Sequence, residues 1–279
     1  MISAIKIIFL LTLFIVSNLF SQDFLRFQFD KAVKLFDQER YFDTITELKR
    51  LMFFDNEKVY SFQSNFLIGK SYKAGAKFDE AINYFTLAEI SARDEMDYFT
   101  TKIFKARTNI LRRTTKQAER ILIELEKNKR FDSLQSKINY WKGWCYIFSD
   151  QWEKAYNIFS KNKLDTTLAN VCKLVDDDFY NEDFAKFSSY IIPGLGQFYT
   201  GEYLSGALSL GWNILFGYLT INAFVEDRIF DGIVIGNFLW LRFYLGNIQN
   251  SKKFAEQKNL EISNKALRFL QVEFKGEKP

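Results

Sequence analysis

The feature that most constrains this chain is a turn-rich run, residues 191–201, followed closely by 22 residues without a charge, Leu204 to Val225. At about 1.5 Å per residue, a helix of that length crosses a bilayer core of roughly 30 Å. The turn-rich run holds one of the two prolines and three of the thirteen glycines of the chain. A sharp turn leading into such a stretch is typical of a point at which a chain enters a membrane.

A second apolar segment, about residues 229–248, follows after the short polar turn Glu226-Asp227-Arg228. Because the link is so short, the two segments are predicted to be antiparallel neighbours that form a membrane hairpin. Small and amide side chains promote helix association in lipid, so they indicate which faces meet. These residues are Ser205, Ser209, Asn213 and Gly217 on the first helix and Gly232 and Gly236 on the second.

Arg242 is an isolated charge within the second apolar segment. A charge at the bilayer centre costs at least about 2.5 kcal/mol, so it needs either a route to the headgroups or an acidic partner. Arg242 lies six residues before Ile248, which is roughly 9 Å along a helix, and its long side chain can reach the interface. This favours snorkelling over a functional charge; for a functional charge, Glu202 is the best candidate partner.

The turn-rich run contains the pattern Pro-Gly-x-Gly-Gln-x-Tyr-x-Gly. Its residues are Pro193, Gly194, Gly196, Gln197, Tyr199 and Gly201. With two hydrophobic helices after it, up to about Asn250, the pattern resembles the two-transmembrane-helix domains of many bacterial envelope proteins, and that resemblance implies an architecture but no reaction. Physically, the glycines permit a tight turn, and Gln197 and Tyr199 can satisfy exposed peptide groups. A phosphate-binding glycine loop is the alternative, but the Lys-Ser/Thr of a P-loop and a preceding strand are missing.

Residues 25–162 repeat with a period of 37, which small residues mark in two sets. The first set is Ala32, Gly69, Ala106 and Gly143, and the second set, twelve positions later, is Thr44, Ala81, Ala118 and Ala155. Large apolar residues come four positions after the second set, and the apolar spacing within a unit is helical. The pattern predicts a stack of helical hairpins in which the paired small residues allow close approach. An irregular helical bundle with coincidental spacing is the alternative.

Two copies of the repeat, at residues 69–85 and 143–159, carry a fuller signature. In each, a Gly-x-x-Tyr step precedes the second small residue, and an aromatic residue follows it by four positions. This signature resembles the tetratricopeptide repeat, although the period exceeds the usual 34 and the helix-ending proline is missing. The resemblance implies a solenoid with a surface for peptides or partner proteins. The predicted fold is therefore all-α, a tetratricopeptide-like helical-hairpin solenoid plus a C-terminal transmembrane helical hairpin.

Residues 1–21 have the pattern of a secretory signal, with Lys6 before an apolar region, residues 7–16, and a more polar end. Cleavage would follow Ser21; Leu19 is larger than the residue usually found at its position, so an uncleaved anchor is the alternative. A secretory signal predicts a protein of the bacterial inner membrane with its repeats on the periplasmic side.

The charges that flank the hairpin argue for the reverse orientation. Lys252, Lys253 and Lys258 would lie outside the cytoplasm, while the acidic turn 226–228 would lie inside, against the positive-inside bias. We give precedence to the N-terminal signal because it acts first. The predicted domains are a signal peptide (1–21), a repeat domain (22–178), an acidic linker and interfacial segment (179–190), a membrane domain (191–250) and a polar C-terminal helix and tail (251–279).

The chain contains no histidine, which excludes Ser-His and Cys-His nucleophile pairs and His-ligated zinc. Carboxylates or a lysine could still act, but no paired acids stand out, so the prediction is a protein that is not an enzyme and holds no metal or cofactor. The acidic run 176–183 lacks the alternating oxygen ligands of a calcium loop. Cys145 and Cys172 are expected to be two buried free thiols, because the repeat register separates them by more than a disulfide allows.

The third repeat is strongly basic, with ten positive against three negative residues over 102–130. A solvated face and a surface for an acidic partner or anionic headgroups explain this equally well. The leading hypothesis is a membrane-anchored scaffold or adaptor of the cell envelope that binds unidentified protein partners, with the lipid bilayer as its other partner and no nucleic acid. The alternative is a membrane-active protein whose hairpin oligomerises or handles lipid, with the repeats in a regulatory role.

Overall fold

A computed structural model describes residues 23–161 and 165–279, and within these ranges the chain is helical and contains no strand. The prediction of an all-α chain is therefore confirmed. The predicted signal peptide, residues 1–21, lies outside the described residues.

The chain divides into two compact units. One comprises the described residues up to Ala169 together with Glu277–Pro279, and the other is Asn170–Gly276. The sequence predicts a boundary at residue 178, whereas the division falls within a helix, Thr166–Asp178. The acidic segment predicted as a linker is largely a helix as well, Glu182–Ile191, because the side chain of Asn181 caps it by accepting a hydrogen bond from the amide of Phe184.

The first unit is a series of helices joined by short turns. They are α1 (23–37), α2 (Tyr41–Phe54), α3 (Ser61–Ala74), α4 (Phe78–Ile90), α5 (Glu95–Leu111), α6 (Thr115–Lys127), α7 (Gln135–Phe148) and α8 (Trp152–Lys161). From α2 to α8 each helix packs on the next one along the chain, and α5 also packs on α7. A short 3₁₀ segment, Lys129–Leu134, joins α6 to α7.

The small residues of the 37-residue period are all buried between these helices. At Gly69 the ring of Phe85 fills the space, since an added Cβ would lie 2.7 Å from it. At Gly143 the ring of Phe159 lies equally close. Glycine is therefore required because an aromatic ring from the second helix of the hairpin packs directly on the backbone of the first.

The second unit begins within α9 (Thr166–Asp178). Its other helices are α10 (Glu182–Ile191), α11 (Leu195–Tyr199), α12 (Tyr203–Val225) and α13 (Ile229–Val272). Both α12 and α13 are long and apolar enough to cross a membrane. The sequence predicts that the second hydrophobic helix ends near residue 248, but α13 continues for 44 residues and includes the predicted polar C-terminal helix. A π-helical segment, Ile235–Trp240, interrupts its apolar half.

We expect Gly69→Ala to destabilise the first unit, because the new methyl group would overlap the ring of Phe85 and overpacking costs about 1–3 kcal/mol. The measurement is the midpoint of chemical denaturation of the full chain in detergent. Gly75→Ala is the matched control, since its added Cβ would meet nothing closer than 3.6 Å. Adding Phe85→Leu should restore part of the loss; equal midpoints for the two alanine variants would contradict this packing.

Candidate functional sites

The glycines of the predicted membrane-entry motif hold helices of the second unit in backbone contact. Gly194 has φ +94°, and a Cβ there would collide with the carbonyl of Gly206 at the start of α12. A Cβ on Gly196 would collide with the carbonyl oxygen of Ala185 in α10, and the amide of Gly196 donates to Ser189 Oγ at 3.0 Å. These contacts leave no room for a side chain at either glycine.

The remaining residues of the motif end turns or satisfy polar groups. Gln197 is fully buried and donates from Nε2 to the side-chain and main-chain oxygens of Asn247, which joins α11 to α13. The hydroxyl oxygen of Tyr199 accepts a hydrogen bond from the amide of Asn181 at 3.0 Å. Pro193 follows an extended residue, as proline favours, and Gly201, with φ +80°, forms the turn before α12.

The glycines predicted to lie between the hairpin helices, Gly217, Gly232 and Gly236, lie close to side chains of the opposite helix. Added Cβ atoms on Gly232 and Gly236 would meet Phe224 at 2.9 Å and Thr220 at 3.1 Å, both on α12. One on Gly217 would touch the ring of Trp240 on α13 at 3.5 Å. The glycines therefore allow the close approach of α12 and α13.

The polarity of this hairpin is inverted relative to a water-soluble bundle. Asn213 and Thr220 of α12 are buried, whereas large apolar side chains of the hairpin point outward. Ile214 is 64% exposed and Phe230 is 78% exposed. Because so much contiguous apolar surface is costly in water, the arrangement fits a hydrocarbon environment.

A cavity of about 470 Å³ lies on one side of the hairpin. Its polar lining is Glu202, Ser205, Ser209, Asn213, Arg242, Asn247 and Asn250. The side-chain oxygen of Asn213 and the side-chain nitrogen of Asn247 are buried without a hydrogen-bond partner in the described structure. Glu202, the predicted partner of Arg242, lines the same cavity but pairs with Lys258 at 3.4 Å.

A second group of polar residues lies in the first unit on the first helices of consecutive hairpins. We call Lys70, Lys73 and Arg107 the basic row. The Nζ atom of Lys70 lies 4.6 Å from the centre of the Phe36 ring. The guanidinium of Arg107 stacks 4.2 Å from the centre of the Trp141 ring and 4.8 Å from that of Phe104. The row is thus a line of half-buried cations held against aromatic rings.

Burial and mutual repulsion lower the pKa values of the two lysines of the basic row. Burial is the main reason why the pKa of Lys73 falls to about 8, and the charge of Arg107 lowers it further. Burial also lowers the pKa of Lys70, with a smaller contribution from Arg107. An anion placed among these groups would relieve both effects, so the row has the electrostatics of an anion-binding site.

Several basic residues of the third repeat form ion pairs with acids of neighbouring helices. Lys102 and Lys105 both contact Glu89 of α4, and Lys102 also contacts Glu124 of α6. Arg112 pairs with Asp79, and Arg130 pairs with Glu95. The excess of basic residues counted in the sequence therefore overstates the net positive charge around the third repeat.

The cysteines and acids of the described residues show no sign of a reactive centre. Cys145 and Cys172 are buried free thiols, as predicted, and burial raises the pKa of each to about 12. Within residues 23–161 and 165–279, no group of three or more His, Cys, Asp or Glu side chains could hold a metal ion. The acidic run 176–183 is mostly helical, in α9 and α10.

The sequence prediction missed Lys70 and Lys73 as members of a site, although it included Arg107 in the basic repeat. A signal existed, since Lys70 and Arg107 are 37 residues apart and so occupy equivalent repeat positions. No family model, curated protein or solved structure matches this chain. Its function is therefore inferred from the basic row and the hairpin themselves.

We expect Gln197→Leu to weaken the second unit by about 1–3 kcal/mol, because it leaves the buried oxygens of Asn247 without their donor. The measurement is unfolding of the detergent-solubilised chain in an SDS titration. Gln249→Leu on the exposed face of α13 is the matched control and should leave the transition unchanged. A Gln197→Leu transition identical to that of the control would show that this contact is dispensable.

Proposed function

We propose that this chain is a membrane-anchored, non-enzymatic protein of the bacterial cell envelope whose repeat unit binds other proteins. The observation that carries the proposal is the basic row, three half-buried cations against aromatic rings, two of which, Lys70 and Arg107, occupy equivalent positions of the repeat. Such a surface suits an acidic peptide or protein segment, because its cations can form ion pairs and hydrogen bonds with carboxylates.

The architecture behind this proposal is a tetratricopeptide-like solenoid. Three features support it: the buried small residues at a period of 37, the aromatic ring packed on Gly69 and on Gly143, and the contact between α5 and α7, which belong to successive hairpins. Stacked hairpins expose an extended concave surface formed by equivalent helices, and partner proteins bind such surfaces.

The anchor is the hairpin of α12 and α13, which we propose spans the inner membrane. Its support is the inverted polarity, with exposed Ile214 and Phe230 against buried Asn213 and Thr220. The motif from Pro193 to Gly201 would then be the membrane-entry turn of a two-transmembrane-helix domain. We propose that the repeats are periplasmic, on the strength of the secretory signal pattern in the sequence.

We expect the full chain, solubilised in detergent from its native membranes, to retain a partner through the basic row. Replacing Lys70 and Arg107 by glutamate reverses two charges of the row and should abolish recovery, because an acidic partner would be repelled. Arg130→Glu, at an exposed ion pair with Glu95, is the matched control and should retain the partner. Recovery that is absent throughout, or insensitive to the double substitution, would count against the proposal.

A second candidate function is favoured by the hairpin cavity. Two buried amide atoms without hydrogen-bond partners, Asn213 Oδ1 and Asn247 Nδ2, and the charge of Arg242 on the same cavity would suit a polar lipid headgroup or a second copy of the hairpin. In that case the hairpin is the active part and the repeats regulate it. Arg242 is exposed and lines the cavity. This position supports a role at the cavity, whereas an arginine that only snorkels extends its charge to the water at the interface and has no further role.

Arg242→Leu separates the two functions. If the protein acts as a scaffold, the variant should insert normally and recover its partner as well as the unchanged chain does. If the hairpin acts on lipid, the variant should insert normally but lose cellular function and co-purify with less bound anionic lipid. Membrane insertion is measured by carbonate extraction, and lipid by mass spectrometry of the purified chain. Trp212→Leu on the same cavity wall controls for a change of shape without loss of charge.

A further inference from the structure

The residues Glu277–Pro279 belong to the first unit, where they lie against the basic row. Arg107 Nη1 forms an ion pair with Glu277 Oε1 at 2.6 Å. Arg107 Nη2 donates to the main-chain oxygen of Lys278 at 2.7 Å, and the hydroxyl of Tyr140 donates to the main-chain oxygen of Glu277 at 2.5 Å. One short segment is thus held by its acidic side chain and by two successive carbonyls.

The protein side chains of these contacts are packed against aromatic rings. The side chain of Arg107 is only 11% exposed, and its guanidinium lies between the rings of Trp141 and Phe104. Tyr140 packs edge to face on Trp141, with ring centres 5.1 Å apart. A cation and a hydroxyl held this rigidly lose little conformational entropy on binding, so they form a prepared site.

The chemistry of the contacts defines what the site recognises. The two main-chain bonds require a peptide backbone but no particular residue, whereas the ion pair requires a carboxylate. The charge of Glu277 also raises the pKa values of Arg107 and Lys73 against the effect of burial, which identifies it as the anion that the basic row accommodates. Bonds to a carboxylate are the stronger ones, so they set the preference for an acidic residue.

We propose that the basic row with Tyr140 is a recognition site for an acidic residue in a peptide segment, and that Glu277 and Lys278 occupy it as an internal ligand that a partner's acidic segment must displace. This inference rests on the proposed protein-binding function and names the chemistry of the partner. The tail is tethered to the same chain, so its effective concentration is on the order of millimolar, and an external segment has to compete with it.

The experiment uses the full chain in detergent micelles and a fluorescent peptide, Val-Glu-Phe-Lys-Gly-Glu-Lys-Pro, which copies residues 272–279. Fluorescence anisotropy gives its dissociation constant. With the unchanged chain the peptide should bind weakly, because the site is filled. In the Glu277→Gln chain the internal ligand loses its ion pair, and the peptide should bind at least about tenfold more tightly.

Two controls connect the gain to the site. Adding Arg107→Gln to the Glu277→Gln chain should abolish the tighter binding, whereas adding Arg130→Gln, at an exposed ion pair, should leave it unchanged. A peptide with glutamine in place of the glutamate that copies Glu277 should bind at least about tenfold more weakly to the Glu277→Gln chain. Equal affinities of the unchanged and Glu277→Gln chains, or of the two peptides, would overturn the proposal.

Hydrogen exchange provides a second measurement that requires no added peptide. Amides of residues 275–278 should exchange faster in the Arg107→Gln chain than in the unchanged chain, and unchanged exchange would again overturn the proposal. Failure of the wider function gives a different pattern. In that case no partner is recovered from membranes, although the peptide still binds more tightly to the Glu277→Gln chain. Conversely, if a partner is recovered but the peptide binds both chains equally, only the internal ligand is refuted.

Discussion

The arrangement of the second unit depends on the burial of polar groups where apolar groups would normally lie. Gln197 contacts Asn247 inside the hairpin, while side chains such as Ile214 and Phe230 face outward. In water this distribution would be unfavourable on both sides. In hydrocarbon it is favourable, because a buried amide pair satisfies groups that lipid cannot, and the outer surface matches its solvent. The close glycine contacts follow, since van der Waals packing and hydrogen bonds hold helices together in lipid.

Periodicity predicted much of the first unit because it reflects packing. Positions that recur every 37 residues are buried, and a small residue there predicts a close helix contact. Periodicity did not predict that the rings of Phe85 and Phe159 would be the groups in contact with the glycines, since that depends on side-chain direction across two helices. The helix after Asn181 was missed because its acidic start was interpreted as a solvated linker. Asn181 itself, followed by two acids, is an ordinary helix-start signal.

The number of basic residues in a repeat predicted the candidate site less well than the positions of those residues within the repeat did. The excess of basic residues in the third repeat is partly balanced by Glu89, Asp79 and Glu95, which lie outside residues 102–130. A count over one repeat cannot include these partners. What distinguishes Arg107 is its position one residue after a small residue, as at Lys70, which directs both side chains to the same surface. The contribution of Glu277 was beyond sequence reasoning, because it lies 170 residues from Arg107.

The continuity of α13 has a mechanical consequence. If α13 spans a bilayer, about 20 of its 44 residues suffice to cross the hydrocarbon core, and roughly 36 Å of helix then extends beyond that core. A straight helix transmits rotation and axial displacement along its length because it contains no hinge. The π segment at Ile235–Trp240 lies in the apolar half, where the hydrogen bonds of the helix change locally from the i→i+4 to the i→i+5 pattern. A rotation of the hairpin within the lipid would therefore be transmitted along α13 to its polar end, near Leu270.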